Sequence, residues 1–282
     1  MKILITGATG QLGKDLTLIL KKYYTVYPYS SKDLNITDYK FFEKEVAKVK
    51  PDVVVNCAAY TNVDGCEREV EKAYSVNSIG AKNCAIIANK FQIKLLHIST
   101  DYIFNGEIKT PFKEDDTPNP VSIYAKSKLA GEINIINHCN NFFILRTAGV
   151  YGIYGNNFVK TILKIAKERG FLKVVNDQIT TPTYTIDLCN QILKLVDTEY
   201  YGIYHASNEG ECSWYEFAKA IIKYSGINAT IEPCTTAEFP RPAHRPKYSV
   251  LENFNLKLLN LNEFRQWDVS LKEFLNRFKE EL

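Results

Sequence analysis

Tyr124 and Lys128 stand four residues apart in Val121-Ser-Ile-Tyr-Ala-Lys-Ser-Lys-Leu-Ala-Gly-Glu132. At helical spacing such residues lie one above the other on the same face. An ammonium beside a phenol favours the phenolate, so the pair can form a proton donor that works near neutral pH. Chance also supplies this pair on many solvated helix faces, so its meaning depends on the rest of the chain.

The first strand, from Lys2, runs straight into Thr6-Gly7-Ala8-Thr9-Gly10-Gln11-Leu12-Gly13 and then a helix. Glycines at such a turn let the backbone approach a pyrophosphate closely, and the helix N-terminus adds unpaired N–H groups and partial positive charge. The spacing is G-x-x-G-x-x-G rather than the dehydrogenase G-x-G-x-x-G. It predicts a dinucleotide site. The second strand ends Tyr29-Ser30-Ser31-Lys32 without a carboxylate at its tip. Ser30, Ser31 or Lys32 could bond a 2′-phosphate, which leaves NADH and NADPH both open.

The elements that must position these groups alternate. Apolar, β-branched runs are expected as strands at Lys2–Thr6, Thr25–Tyr29, Asp52–Asn56, Lys94–Ser99 and Asn141–Arg146. Helices are expected at Gln11–Lys22, Asp38–Lys48, Cys66–Lys90 and Ser122–His138. Strands apolar throughout and separated by helices imply a parallel sheet covered on both faces, a Rossmann-type doubly wound α/β fold.

Beyond Ala148 the pattern loosens into helices at Asn156–Arg169, Thr185–Val196 and Trp214–Tyr224, strands near Lys173–Val175 and at Ile203–Ala206, and a closing helix at Leu271–Glu280. Pro240, Pro242 and Pro246 mark an irregular segment. The expected division is a dinucleotide-binding domain of residues 1–147 plus about 178–206, and a smaller mixed α/β substrate lobe of about 148–177 plus 207–282.

At 282 residues and 45% hydrophobic content the chain can bury a sizeable core. Its 35 basic and 32 acidic residues nearly balance, which argues against a nucleic-acid polymer as partner. No apolar run approaches the roughly 20 residues that span a bilayer. Met1 leads directly into the first strand, which predicts no targeting segment and a cytoplasmic protein. Seven cysteines without a C-x-x-C pair read as reduced thiols, and neither cysteines nor histidines show metal-ligand spacing.

The glycine turn, Asn56-Cys-Ala-Ala-Tyr-Thr-Asn-Val-Asp64, Ser99-Thr-Asp-Tyr-Ile-Phe-Asn-Gly106 and Tyr124-x-x-x-Lys128 together resemble an extended short-chain dehydrogenase/reductase. More narrowly the chain is similar to the dTDP-4-dehydrorhamnose reductases, through Asp177-Gln-Ile-Thr-Thr-Pro-Thr-Tyr184 to Phe239-Pro-Arg-Pro-Ala-His-Arg-Pro246. That resemblance implies Thr100, Tyr124 and Lys128 as the catalytic trio. It implies a cofactor, NADPH or NADH, along Gly7, Gly10, Gln11, Leu12, Gly13, Ser30, Asn35, Ile36, Ala58, Ala59, Tyr60, Tyr124 and Lys128. Asn77 matches an asparagine that supports the lysine. Thr61, Thr100, Asp101, Tyr124, Asn157 and Arg245 are implied contacts to a dTDP-sugar, Arg245 because a guanidinium fork suits a diphosphate. Some relatives form homodimers around an interface Mg2+, but no matching carboxylate cluster is found in this sequence.

The chain departs from that pattern at Gly149, where relatives commonly carry Trp, at Asn35, where an acidic residue is frequent, and at Thr180, where glycine is frequent. The implied reaction is reduction of a C4 keto group, with Tyr124 giving up its proton. Moving a tyrosine pKa from about 10 to about 7 takes roughly 4 kcal/mol in favour of the phenolate. Related dehydratases follow Thr with Asp and Glu, whereas Tyr102 stands here after Asp101, which argues against dehydration. A related 4-epimerase would retain its cofactor, and a non-catalytic regulatory subunit, like that of methionine adenosyltransferase, would lack turnover.

Overall fold

The computed structural model describes residues 1–280, with the side chain of Glu280 set aside. The main-sheet strands are β1 (Lys2–Thr6), β2 (Thr25–Tyr29), β3 (Val53–Asn56), β4 (Lys94–Thr100) and β5 (Phe142–Thr147). The short strands β6 (Val150–Tyr151), β7 (Phe171–Val175), β8 (Ile179–Thr180) and β9 (Thr183–Tyr184) follow, and then β10 (Gly202–His205), β11 (Cys212–Ser213) and β12 (Thr230–Cys234). One six-stranded sheet has the order β10-β5-β4-β3-β1-β2, parallel throughout. The chain leaves β1 toward β2 and returns on the other side through β3. That reversal opens a crevice at the carboxyl ends of β1 and β3, where ligands of such sheets bind.

Helices cover both faces: α1 (Gln11–Leu20), α2 (Tyr39–Val49), α3 (Val63–Cys66), α4 (Val70–Tyr74), α5 (Ala81–Phe91), α6 (Ile123–His138), α7 (Phe158–Arg169) and α8 (Thr185–Val196), then α9 (Trp214–Ser225), α10 (Phe254–Leu258) and α11 (Trp267–Glu280). Leu16 and Leu20 of α1 join Leu188, Ile192 and Leu195 of α8 against Ile3, Ile5 and Val55. Phe42 and Val46 of α2, Ala85 of α5 and Ile135 of α6 bury the opposite face over Leu4, Val54 and Ile144. All four residues of β3 are buried, as a central parallel strand requires. A separate cluster packs α7, α9 and α11 through Val159, Ile162, Phe217, Ile221, Leu271 and Phe274. Leu256 and Phe264 return to the sheet cluster.

Two expected helices differ from observation. Cys66–Lys90 is not one helix but α3, α4, a π-turn at Ser75–Gly80 and α5. The π-turn lies against α6, where Gly131 makes the approach possible: a Cβ there would sit 2.2 Å from the Asn77 carbonyl oxygen. The closing helix begins at Trp267, four residues before the expected Leu271.

Candidate active site

The glycine turn, the ends of β3, β4 and β5, and the start of α6 enclose a cavity of ≈ 540 Å³. That is within the range of small-molecule sites. Gly7 has φ +66°, and a Cβ there would meet the Ala58 nitrogen at 2.7 Å, so only glycine lets the first turn pass this close to the chain after β3. Gly10 caps α1 without a side-chain bond, which leaves the helix N–H groups facing the cavity region. Ser122 caps α6 by accepting from the Ala125 N–H at 3.2 Å, and this starts the helix two residues before Tyr124.

Thr100, Tyr124 and Lys128 line this one cavity, with Thr61 and Asp101 beside them. The Thr100 hydroxyl donates to Asp101 Oδ1 at 3.1 Å and accepts from the Tyr102 N–H at 3.2 Å. Tyr102 meets Tyr124 edge to face, with ring centroids 6.1 Å apart. Lys128, 2% exposed, donates to the Ile98 carbonyl oxygen at 2.6 Å and lies 3.2 Å from His97 Nε2. One turn further along α6, Glu132 takes the guanidinium of Arg146 at 2.8 Å and the hydroxyl of Ser99. This buried group ties α6 to β4 and β5 beneath the cavity.

Burial pushes the Tyr124 phenol up; its bond with Thr100 pulls the other way, and Asp101 and Cys66 push it further up. Burial likewise brings Lys128 down to about 8, opposed chiefly by Glu132. In this arrangement Lys128 Nζ is held by the Ile98 carbonyl and His97. Burial raises Asp101 to about 7 against its hydrogen bonds with Ser249 and Thr100. Burial also raises the Tyr102 phenol, which keeps it protonated and unsuited to act as a base.

Gly7, Gly10, Gln11, Leu12, Gly13 and Ala59 also line the cavity. A second hollow shares Gly7, Gly10 and Ala59 and adds Asn35, Ile36, Ala58 and Tyr60. Ser30 lies in a third, beside Thr9 and Lys14, where its hydroxyl donates to Asp33 at 2.5 Å. The Asn35 amide oxygen is engaged by the Thr37 N–H at 3.0 Å and hydroxyl at 2.9 Å. Together the hollows form a trough around the helix N-terminus, whose backbone N–H groups suit an anion.

Three expected residues stand elsewhere. Asn77 bonds the Tyr60 backbone at 2.8 and 3.1 Å and the Ser127 hydroxyl at 3.0 Å, while the Lys128 bonds go to β4. It supports α6 beside the lysine instead of the lysine itself. Asn157 caps α7, and its amide donates to Gln11 and to the Gly152 carbonyl, each at 2.8 Å. The Arg245 fork closes on Asp64 at 3.1 Å in two bonds and lies outside the cavity lining.

The family described as the RmlD substrate binding domain matches residues 1–280 of the chain. This protein belongs to that family. Among its relatives, the spore coat polysaccharide biosynthesis protein SpsK of Bacillus subtilis is 44% identical over 275 residues, covering 97% of this chain and 96% of that one. A dTDP-4-dehydrorhamnose reductase from Clostridium acetobutylicum superposes with a TM-score of 0.97 at 48% identity, over 99% of this chain and 100% of that one. Another from Bacillus anthracis, solved with NADP, gives 0.96 at 43% identity, over 98% and 99%.

Two residues that line this cavity, Thr147 and Trp214, and two buried beneath it, His97 and Asn56, were given no role in the sequence reading. Thr147 ends β5 directly opposite Thr100, and its buried hydroxyl lines the cavity with no hydrogen-bond partner among the described residues. Trp214 enters from α9, packed 4.6 Å from Phe158. It supplies a ring to the same cavity that Gly149 lines, whose φ of +52° favours glycine. His97 and Asn56 form the buried support of Lys128, joined at 2.9 Å.

Proposed function

We propose that this chain reduces the C4 keto group of dTDP-4-dehydro-L-rhamnose to the alcohol, with NADPH or NADH as reductant. The observation that carries the reading is the convergence of Thr100, Tyr124 and Lys128 on one cavity that opens from a glycine turn and helix N-terminus. The site fits a nicotinamide dinucleotide: the trough presents backbone donors for a pyrophosphate, and the unpartnered Thr147 hydroxyl offers a bond to a bound polar group.

When bound, the reduced nicotinamide supplies a hydride to C4. The chain's own residues handle the charge that follows. Thr100 and Tyr124 donate to the carbonyl oxygen as it becomes an alkoxide, and Tyr124 transfers its proton there. Lys128 holds the ribose side of the cofactor and, as an ammonium, stabilises the phenolate Tyr124 leaves behind. Thr61 and Asp101 flank the sugar. Arg245 is held beside the site by its Asp64 pair, which uses only part of the guanidinium fork. The division into a dinucleotide part and a substrate lobe is supported by the two separate buried clusters, around the sheet and around α7, α9 and α11. Among the described residues no helix is long and apolar enough to cross a membrane.

The test is loss of NADPH or NADH absorbance on mixing the purified protein with dTDP-4-dehydro-L-rhamnose. Recovery of dTDP-L-rhamnose with equimolar oxidised cofactor supports the reading. A protein that keeps stoichiometric cofactor bound and interconverts sugar epimers instead would refute it.

A further inference from the structure

Beneath Lys128, three buried side chains form a row across the sheet. Thr6, Asn56 and His97 are register partners on β1, β3 and β4. The Ala58 backbone N–H can only donate, and it gives its hydrogen to Asn56 Oδ1 at 3.1 Å. The Thr6 hydroxyl donates to the same oxygen at 2.6 Å. These two bonds orient the amide, so Asn56 Nδ2 faces His97 Nδ1 at 2.9 Å. An amide nitrogen donates, so Nδ1 accepts, and a neutral ring then carries its proton on Nε2. Burial keeps that ring neutral.

His97 Nε2 lies 3.2 Å from Lys128 Nζ, which itself donates to Ile98 O at 2.6 Å. An ammonium has no lone pair to receive an Nε2–H, whereas an amine has one. We propose that His97 donates from Nε2 to the amine form of Lys128, and is thereby a positioning residue that sets the lysine's protonation state and turns it toward β4. The groups acting on Lys128 are His97 and the Ile98 carbonyl from β4, Cys57 after β3, Cys84 from α5, and Glu132 from its own helix, with Tyr124 lining the same cavity one turn earlier. Of these, Glu132 is already committed to Arg146 and Ser99. Burial acts in the same direction as the histidine.

The consequence for turnover rests on the reductase reading. After Tyr124 has given its proton to the product alkoxide, the Lys128 ammonium passes one proton to the phenolate, which leaves a neutral tyrosine and an amine. His97 stabilises that amine until water returns the proton. The hydrogen-bond row itself does not depend on this reading.

The direct test is a long-range proton–nitrogen NMR spectrum of the full chain, whose four histidines are separable once His97→Gln assigns one of them. The expected result is the neutral Nε2–H tautomer for His97 from about pH 6 to about pH 8. An Nδ1–H tautomer or an imidazolium there overturns the proposal, whether or not the protein is a reductase. The second arm is Asn56→Asp, which keeps the bonds from Ala58 and Thr6 but offers His97 Nδ1 an acceptor. The ring then presents Nε2 as an acceptor to an ammonium. The Lys128 Cε carbon titration, assigned with Lys128→Arg, should move up by about one pH unit or more, and the alkaline limb of kcat should follow it. An unmoved titration in folded Asn56→Asp contradicts the proposal.

Discussion

Lys128 donates to the carbonyl oxygen of Ile98 at 2.6 Å, and this bond turns its Nζ toward β4. The four-residue spacing to Tyr124 does put both residues on one cavity wall. Electrostatic coupling to the phenol needs more than spacing, because the lysine is held by Ile98 and His97. Those two contacts, and not the spacing alone, fix where the Lys128 charge sits relative to Tyr124.

Tyr124→Phe keeps the ring that packs against Tyr102 and removes only the hydroxyl. The expected loss in kcat is roughly 10²- to 10⁴-fold, the usual worth of a positioned general acid. Cofactor affinity, measured by fluorescence titration with NADPH, should stay within about threefold. A comparable loss of cofactor binding would instead make Tyr124 a binding residue.

Thr147→Val separates ligand binding from stability. The Thr147 hydroxyl makes no bond among the described residues, so its removal should leave Tm unchanged or raise it slightly. In the same variant kcat/KM should fall about tenfold, the worth of one hydrogen bond to a bound group. Equal kcat/KM in the two proteins would show that the hydroxyl meets no ligand.

Arg146→Met should be costly, because it takes the guanidinium from the Glu132 carboxyl at 1% exposure and leaves Ser99 as its hydrogen-bond partner among the described residues. Breaking one side of a buried pair costs about 3–5 kcal/mol, which for a chain of this size lowers Tm by roughly 10 °C. Replacing Arg146 and Glu132 together by apolar residues of matched volume should recover most of that loss. Calorimetry on the two variants makes the comparison.

Asp101 gives the fold a specific pH dependence. Its carboxyl is raised to about 7 by burial, above an unfolded value of about 3.9. The folded state therefore holds the proton more tightly, so this stabilisation is full below about pH 4 and is lost as pH rises through about 7. His97 and His205, both lowered by burial, act oppositely and lose stabilisation as pH falls below about 6.5. Asp101→Asn leaves the histidines in place. The Tm of the variant minus that of the parent should thus climb between about pH 4 and pH 8. A flat difference would mean that Asp101 titrates normally.

The sheet was legible because β1, β3, β4 and β5 are apolar runs whose burial on both faces needs no tertiary detail. The glycine turn was legible because close backbone approach restricts residue type. Strands β6, β8, β9 and β11, two residues each, are too short to show a period. The π-turn at Ser75–Gly80 depends on the approach of Gly131, fifty-one positions beyond Gly80, which no local pattern encodes. His97 reads as a lone polar position within the apolar run Leu95–Ile98, and its partners Lys128 and Asn56 lie 31 and 41 residues away. Arg245 illustrates the converse: a guanidinium suits a diphosphate, but Asp64 is within reach and takes it.

The central claim is that this cavity reduces a keto sugar nucleotide. Purified protein, NADPH and dTDP-4-dehydro-L-rhamnose, followed by cofactor absorbance and by mass of the sugar nucleotide, tests it most directly. The account predicts one NADPH consumed per dTDP-L-rhamnose formed, with Tyr124→Phe nearly silent in the same assay. No consumption of NADPH or NADH by the folded, cofactor-binding protein would contradict it.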